Sequence, residues 1–93
     1  MTYTLELYTR PTCSDCQDSK QYLKEQGIPF TEYDLSQVSM KEEELKKVTG
    51  TRVVPGFVFR EHSLLSKFKK PTVFTGFELN KAEIKKMAAQ VRK

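Results

Sequence analysis

Two cysteines, Cys13 and Cys16, stand where an extended segment of the chain gives way to a helix. Residues 2–9 alternate apolar and polar side chains, which is typical of a strand with one buried face. Between Cys13 and Gly27 the chain contains no β-branched residue, and Gly27 lies where a left-handed residue would end a helix. The pattern therefore predicts a strand, a short loop and a helix whose first turn carries both thiols.

The start of a helix changes the chemistry of a cysteine. If Cys13 is the N-cap residue, its sulfur replaces the oxygen that accepts the unpaired N–H groups of the first turn. Those donors and the helix dipole favour the thiolate, so the pKa of Cys13 is expected to fall from about 8.5 into the roughly 3.5–7.5 range. Asp15 and Asp18 oppose this shift as like charges, whereas Arg10 supports it. Cys16, one turn further on, is expected to be less exposed and close enough to form a disulfide with Cys13.

Three kinds of site fit this cysteine pair. A thiol–disulfide exchange site needs a thiolate at the start of a helix that follows a strand, and the pattern meets both conditions. A zinc site needs four ligands, and beyond the two thiols the chain offers the single histidine His62. A pair of inert, buried thiols is the third alternative, but the flanking Pro11, Ser14 and Asp15 are typical of a surface. We favour thiol–disulfide exchange, with no metal site and with His62 as a surface residue.

Length and composition limit the remaining classes of protein. With 93 residues, 38% of them hydrophobic and 30% charged, the chain is expected to form a single domain over residues 1–93. Two cysteines allow at most one internal disulfide, which excludes the multi-bridge frameworks of small secreted domains. The first residues do not resemble a signal peptide and no apolar run reaches the length of a membrane span, so we expect a cytoplasmic protein without membrane association.

The formal net charge of +4 is unevenly distributed along the chain. Residues 60–93 carry nine basic and three acidic side chains, whereas residues 1–59 carry seven and nine. One interpretation is a surface that attracts an anionic partner. The other is a solvated face of the last helix, because Lys81, Lys85 and Lys86 fall off its apolar stripe. We favour the solvated face and expect no nucleic-acid partner.

Further strands and a second helix follow the cysteine helix. Strands are expected over residues 30–35, 52–59 and 71–74. Ser39 with Glu42 three residues later is typical of a capping box, and predicts a helix that runs to Gly50. Residues 64–70 are expected to form a loop that packs its apolar side chains down rather than a surface for a protein partner.

The last helix has the clearest periodicity in the chain. Asn80 and Glu83 form a second predicted capping box, and Leu79 with Ile84 a hydrophobic staple. Its apolar stripe consists of Ile84, Met87, Ala88 and Val91. The order of elements is then β-α-β-α-β-β-α, which is of the α/β class. The first two strands are expected to be parallel and the last two antiparallel.

Three segments resemble the glutaredoxin family. They are residues 8–16 (YTRPTCSDC), 50–55 (GTRVVP) and 75–77 (TGF), so that the resemblance covers nearly the whole chain. It implies a thioredoxin-like fold, with a four-stranded mixed sheet flanked by helices. It also implies that Val54–Pro55 is a cis peptide bond opposite the cysteines, where the backbone of Val54 would pair with an extended substrate.

The resemblance implies an enzyme, a thiol–disulfide oxidoreductase that reduces disulfides of proteins or mixed disulfides with glutathione. Cys13 would attack the substrate and Cys16 would resolve the mixed disulfide. Arg10 would meet a carboxylate of glutathione, and Thr75 and Gly76 would approach its γ-glutamyl end. No cofactor would be tightly bound, glutathione or a thioredoxin reductase would supply electrons, and the protein would be a monomer.

The chain departs from the common family pattern at two places. Ser14 and Asp15 stand where many glutaredoxins have Pro and an aromatic residue, and Phe77 stands where they have a second glycine. Gly76–Phe77 is closer to the glutaredoxin-like donors of ribonucleotide reductase, which take electrons from a thioredoxin reductase. Ser14 also allows a second function, a 2Fe–2S cluster-binding carrier, and the third alternative is a regulatory binding protein of the thioredoxin fold.

Overall fold

The computed structural model describes residues 2–62 and 70–91. The strands are β1 (Thr2–Thr9), β2 (Thr31–Asp34), β3 (Gly56–His62) and β4 (Thr72–Thr75). The helices are α1 (Ser14–Glu25), α2 (Met40–Thr49) and α3 (Lys81–Ala88), and a single 3₁₀ turn over Glu78–Asn80 precedes α3. The order of elements is the predicted one. The predicted loop over residues 64–70 lies mostly outside the described residues, which do not include 63–69. The predicted surface position of His62 is also outside them, because its side chain is not described.

The strands form one sheet in the order β2-β1-β3-β4. Strand β1 is parallel to β2 and antiparallel to β3, which is in turn antiparallel to β4. This confirms the mixed α/β sheet of the thioredoxin-like fold. The predicted strand over 52–59 is too long at its start, since β3 begins only at Gly56. Pro55 has no N–H to donate to the sheet, so pairing starts after it.

Apolar side chains cover both faces of the sheet. Helices α1 and α3 pack on one face, where the buried residues include Leu5, Leu7, Leu23, Phe57, Phe59, Phe77, Ile84 and Ala88. Helix α2 packs on the other face, where Leu45 meets Tyr8, Leu35 and Val58. Because β1 and β3 lie in the middle of the sheet, their side chains are buried on both faces. The central strands therefore hold the loops at their ends in place.

The predicted capping box of α2 does not form. Ser39 is the N-cap residue but its side chain makes no cap hydrogen bond. Glu42 instead accepts a hydrogen bond from the guanidinium of Arg10 and forms an ion pair with that of Arg52. Hydrogen bonds between two charged groups are stronger than one to a neutral backbone N–H, so Glu42 turns away from the helix start. The predicted end of the helix is confirmed, because Gly50 adopts a left-handed conformation there.

The start of α3 also differs from the prediction. Asn80 is its N-cap residue, but its side-chain amide donates to the carbonyl groups of Thr75 and Gly76 rather than capping the helix. The side chain of Leu79 is 90% exposed, so no staple with the buried Ile84 exists. The helix ends at Ala88, so Val91, predicted as part of the helical stripe, instead forms a parallel bridge with Tyr3.

The lysines of α3 are exposed, as predicted for a solvated face. Two of them also lie over aromatic rings, with the Lys81 ammonium 5.5 Å from the centre of the Phe77 ring and that of Lys85 5.6 Å from Tyr22. Cation–π contacts of this kind stabilise exposed pairs by about 0.5–1 kcal/mol. Among the described helices none is long and apolar enough to cross a membrane.

Candidate active site

Cys13 occupies the N-cap position of α1, as the sequence predicts. Its N–H donates to the carbonyl of Arg10 at 3.2 Å, which closes the loop between β1 and the helix. Its sulfur accepts a hydrogen bond from the N–H of Cys16 at 3.0 Å. The two cysteines form a disulfide, with their Cα atoms 5.1 Å apart. The helix start therefore directs a backbone donor at the Cys13 sulfur.

The two cysteine side chains differ in exposure. Cys16 is fully buried, whereas Cys13 is partly exposed. This confirms the prediction that the first cysteine is the accessible one. A molecule in solution can approach the sulfur of Cys13, but it reaches Cys16 only through Cys13.

Three chain segments meet at the edge of the sheet where the cysteine loop begins. Tyr8 pairs with Gly56 and Gly56 pairs with Thr75, so the ends of β1 and β4 flank the start of β3. The loop to Cys13 continues from the end of β1, and Pro55 immediately precedes β3. The topology thus brings the cysteines, Pro55 and the segment after β4 to one place.

The Val54–Pro55 peptide bond is cis, as the family resemblance implies. Pro55 is buried and its carbonyl accepts the N–H of Gly76 at 2.9 Å. Within the described chain no hydrogen bond uses the backbone N–H or carbonyl of Val54. These two groups are therefore free to pair with the backbone of an extended ligand.

Thr75 and Gly76 lie beside the start of β3, where Thr75 pairs with Gly56 and the N–H of Gly76 donates to the Pro55 carbonyl. Gly76 has φ +93°, a left-handed conformation in which a side chain would be strained. Asn80 fastens this turn by donating to the carbonyls of Thr75 at 2.9 Å and Gly76 at 3.1 Å. The sequence pattern identified Asn80 as a helix cap and missed this contact.

Arg10 points to α2. Its guanidinium pairs with Glu42, and the second oxygen of that carboxylate forms an ion pair with Arg52, whose Nε lies 3.1 Å away. Glu42 therefore joins the segment before the cysteines to the segment before Val54. The sequence analysis expected the positive charge of Arg10 to stabilise a thiolate on Cys13. Among the described residues the side chain of Arg10 contacts Glu42 and makes no contact with Cys13.

Asp15, between the cysteines, has a contact that the sequence did not reveal. Its Oδ2 accepts the backbone N–H of Phe77 at 2.7 Å, 62 positions along the chain. Carboxylate oxygens of Asp15, Asp18 and Glu78 lie within 4.8 Å of one another. No local sequence pattern predicts this hydrogen bond, because it forms only when the fold places the end of β4 beside the start of α1.

Comparison with known protein sequences gives consistent matches. The profile of the family described as Glutaredoxin matches residues 5–64. Glutaredoxin 3 of Escherichia coli strain K12 is 34% identical over 59 residues, which are 62% of this chain and 71% of that protein. The global transcriptional regulator Spx 1 of Oceanobacillus iheyensis is 36% identical over 42 residues, 45% of this chain. The chain spans about a third of that regulator, since the match covers 32% of it.

Solved structures share the fold at low sequence identity. A crystal structure of a thioredoxin-like protein matches with a TM-score of 0.65 at 22% identity, covering 86% of this chain and 96% of that one. A buckwheat glutaredoxin–glutathione complex matches with a TM-score of 0.63 at 15% identity, covering 97% of this chain and 83% of that one. These likenesses concern the fold alone.

Proposed function

The chain belongs to the glutaredoxin family, and from this membership we propose that it is a dithiol oxidoreductase with Cys13 as nucleophile and Cys16 as resolving thiol. The family and the close cysteine pair support thiol–disulfide oxidoreduction as the kind of activity. The proposal adds the division of roles between the two sulfurs.

One observation carries this division. The Cys13 sulfur is partly exposed at a helix start and accepts the Cys16 N–H at 3.0 Å, whereas Cys16 is fully buried. In the reduced protein the same N–H stabilises a thiolate on Cys13, and the helix dipole adds to this. Cys13 is then both the better nucleophile and the only one of the pair that a substrate can reach.

The first step is attack by the Cys13 thiolate on one sulfur of a substrate disulfide. The substrate S–S bond breaks, a mixed disulfide with Cys13 forms, and the departing thiolate takes a proton from water. Cys16 then gives up its proton and attacks the Cys13 sulfur, which releases the second substrate thiolate. Two electrons pass to the substrate, and the Cys13–Cys16 disulfide remains.

A thiol reductant must return the protein to its dithiol form. Two molecules of glutathione, or a thioredoxin reductase, supply the two electrons needed. Family membership supports glutathione, which glutaredoxins use as reductant, and a structural neighbour is a glutaredoxin bound to glutathione. A measurement of which system reduces the Cys13–Cys16 disulfide distinguishes the two sources.

The substrate would lie across the Val54–Pro55 peptide. The free N–H and carbonyl of Val54 support a short β-bridge to the residues beside a substrate cysteine. Thr75 and Gly76, held to Pro55 by the 2.9 Å hydrogen bond, would form the adjoining wall. The guanidinium of Arg10 is paired with Glu42, and its role in substrate contact stays a prediction.

Two cysteine variants test the assignment of roles. Cys16→Ser is expected to accumulate a stable mixed disulfide when the reduced protein is mixed with bis(2-hydroxyethyl) disulfide, detected as a mass increase. Cys13→Ser is expected to form no adduct and to reduce no substrate. If Cys13→Ser reacts at the wild-type rate, Cys13 is not the nucleophile and the proposal is wrong.

A second candidate function is a regulator that senses redox state through the same disulfide. The match to the transcriptional regulator Spx 1 favours it over 45% of this chain. Turnover separates the two, because an oxidoreductase consumes many equivalents of disulfide per protein when a reductant is present, whereas a sensor reacts once. The carrier alternative predicts iron and visible absorbance in protein purified without air, and a colourless, iron-free protein would contradict it.

A further inference from the structure

Groups that can bind an anion belong to the segments that flank the disulfide in the fold, on both faces of the sheet. On the α2 side they are the guanidinium groups of Arg10 and Arg52, which belong to the segments before the cysteines and before Val54. On the side of α1 and α3 it is the backbone N–H of Phe77, whose ring is part of that core. A carboxylate or other anion on a substrate would accept hydrogen bonds from such donors.

Each of these groups already has a carboxylate of the chain as its partner. Glu42 accepts a hydrogen bond from Arg10 and forms an ion pair with Arg52 at 3.1 Å, and Arg52 donates to Glu43 at 3.2 Å. Asp15 accepts from Phe77 N–H at 2.7 Å. The single N–H of Phe77 is therefore available to a substrate carboxylate only if Asp15 is displaced. Arg10 and Arg52 keep further N–H donors, but their positive charges are already paired with Glu42 and Glu43.

The surroundings of Asp15 add like charges to this competition. Its carboxylate lies within 4.8 Å of those of Asp18 and Glu78, and none of the three forms an ion pair with a described Lys or Arg. Lys81 and Lys85 nearby lie over aromatic rings instead. Asp15 thus stands in a cluster of three carboxylates whose charges no described ion pair compensates directly, although the whole chain carries +4.

From these contacts we infer that Asp15 and Glu42 are specificity-determining residues of the proposed reaction. They occupy the anion-binding groups on the two sides of the disulfide, and so disfavour anionic disulfides such as glutathione disulfide. Neutral and cationic disulfides, including protein disulfides with basic neighbours, are the preferred class. The inference rests on the proposed function, since it concerns which disulfides Cys13 attacks.

The test compares three small disulfides of different charge. Near pH 7 glutathione disulfide is a dianion, cystamine a dication, and bis(2-hydroxyethyl) disulfide is neutral. Prereduced protein is mixed with each disulfide, quenched with an alkylating agent and analysed by mass spectrometry. This gives a second-order rate constant for oxidation without any reductase.

Two variants remove one charge each and keep the shape. In Asp15→Asn the amide oxygen can still accept from Phe77, and in Glu42→Gln it can still accept from Arg10. Each is expected to raise the rate constant for glutathione disulfide about three- to fivefold over wild type, as for one unit charge some 4–6 Å away in water. The rate constant for cystamine is expected to fall by a similar factor. Both changes are taken relative to the rate constant for the neutral disulfide, which reports any effect of the lost charge on the Cys13 thiolate itself. These differences shrink when salt is raised from about 0.02 M to about 0.5 M.

Glu25→Gln is the matched control, because it removes the same charge about 15 Å further along α1. It is expected to leave the ratios of the three rate constants unchanged. If Asp15→Asn and Glu42→Gln alter all three disulfides equally, or none beyond the control, the specificity inference is wrong. If wild type reacts with none of them, or Cys13→Ser reacts equally, the proposed function itself fails.

Discussion

Gly56, the residue that follows Pro55, lies against α2 so closely that a side chain there would overlap its neighbour. A Cβ atom added to Gly56 would be 2.6 Å from Leu45 Cδ1 and 3.6 Å from Tyr8 Cβ. Carbon atoms in good contact are about 3.5–4.0 Å apart, so the Leu45 methyl group would have to retreat by about 1 Å. Leu45 is fully buried, and because protein interiors are close-packed, moving its methyl group costs free energy. We expect Gly56→Ala to lower the free energy of unfolding by about 1–3 kcal/mol, the range for overpacked cores.

A double-mutant cycle checks this reason. Leu45→Ala alone is expected to cost about 2–5 kcal/mol, because it leaves a cavity under α2. In the double variant the new methyl group at residue 56 enters that cavity, so the combined loss should be smaller than the sum by about 1–2 kcal/mol. Urea unfolding of the oxidised proteins, followed by circular dichroism, gives the four free energies.

The control pairs Gly56→Ala with Leu23→Ala on the opposite face of the sheet. Leu23 is equally buried but belongs to the other core, so these two losses should add. If Gly56→Ala and Leu45→Ala also add, Leu45 is not what restricts residue 56.

Three further predictions concern stability. Tyr8 is fully buried, with no hydrogen-bond partner for its hydroxyl among the described residues, so Tyr8→Phe is expected to be neutral or to stabilise by up to about 1 kcal/mol at pH 7. Burial also raises the pKa of Tyr8, so above about pH 10 its phenol ionises in the unfolded chain before it does in the folded one, and the free energy of unfolding falls. Wild type should therefore lose about 1.4 kcal/mol more than Tyr8→Phe by pH 11, measured by urea unfolding. Leu79→Ala should change the unfolding free energy by less than about 0.5 kcal/mol, whereas Ile84→Ala should cost about 2–5 kcal/mol, which would exclude a staple between them. Asn80→Ala should cost about 1–2 kcal/mol in the same assay by releasing the turn after β4, and an unchanged midpoint would contradict that role.

Local patterns predicted the elements and the cysteine placement because each depends on neighbours in sequence. A strand that leads into a helix start positions Cys13 as N-cap without help from distant residues, and the observed 3.0 Å hydrogen bond from Cys16 confirms it. The periodicity of apolar residues likewise predicted the buried face of α3 at Ile84 and Ala88. The strand before Pro55 was misjudged because the Val and Phe content of 52–59 is typical of a strand, whereas its pairing is decided by partners elsewhere.

The two capping boxes failed for a common physical reason. A Ser or Asn followed by Glu three residues later satisfies a helix end only when no stronger partner competes for the side chain. The topology places Arg10 and Arg52 beside Glu42, and the carbonyl groups of the turn after β4 beside Asn80. In both cases the side chain interacts with a group from another part of the fold. The capping-box pattern contains no information about that group.

The same distinction separates the chemistry of the site from its selectivity. Disulfide exchange needs a thiolate and a resolving thiol within one helical turn, which a short segment can encode by itself. Selectivity among disulfides depends on what surrounds that turn, and here it involves Asp15 with Phe77 and Glu42 with Arg10, pairs 62 and 32 positions apart. Both pairs exist only because β1 lies between β2 and β3, which brings the ends of distant strands to one edge. Relatives that keep the two cysteines but change either carboxylate should therefore retain the exchange reaction and differ in which disulfides they reduce.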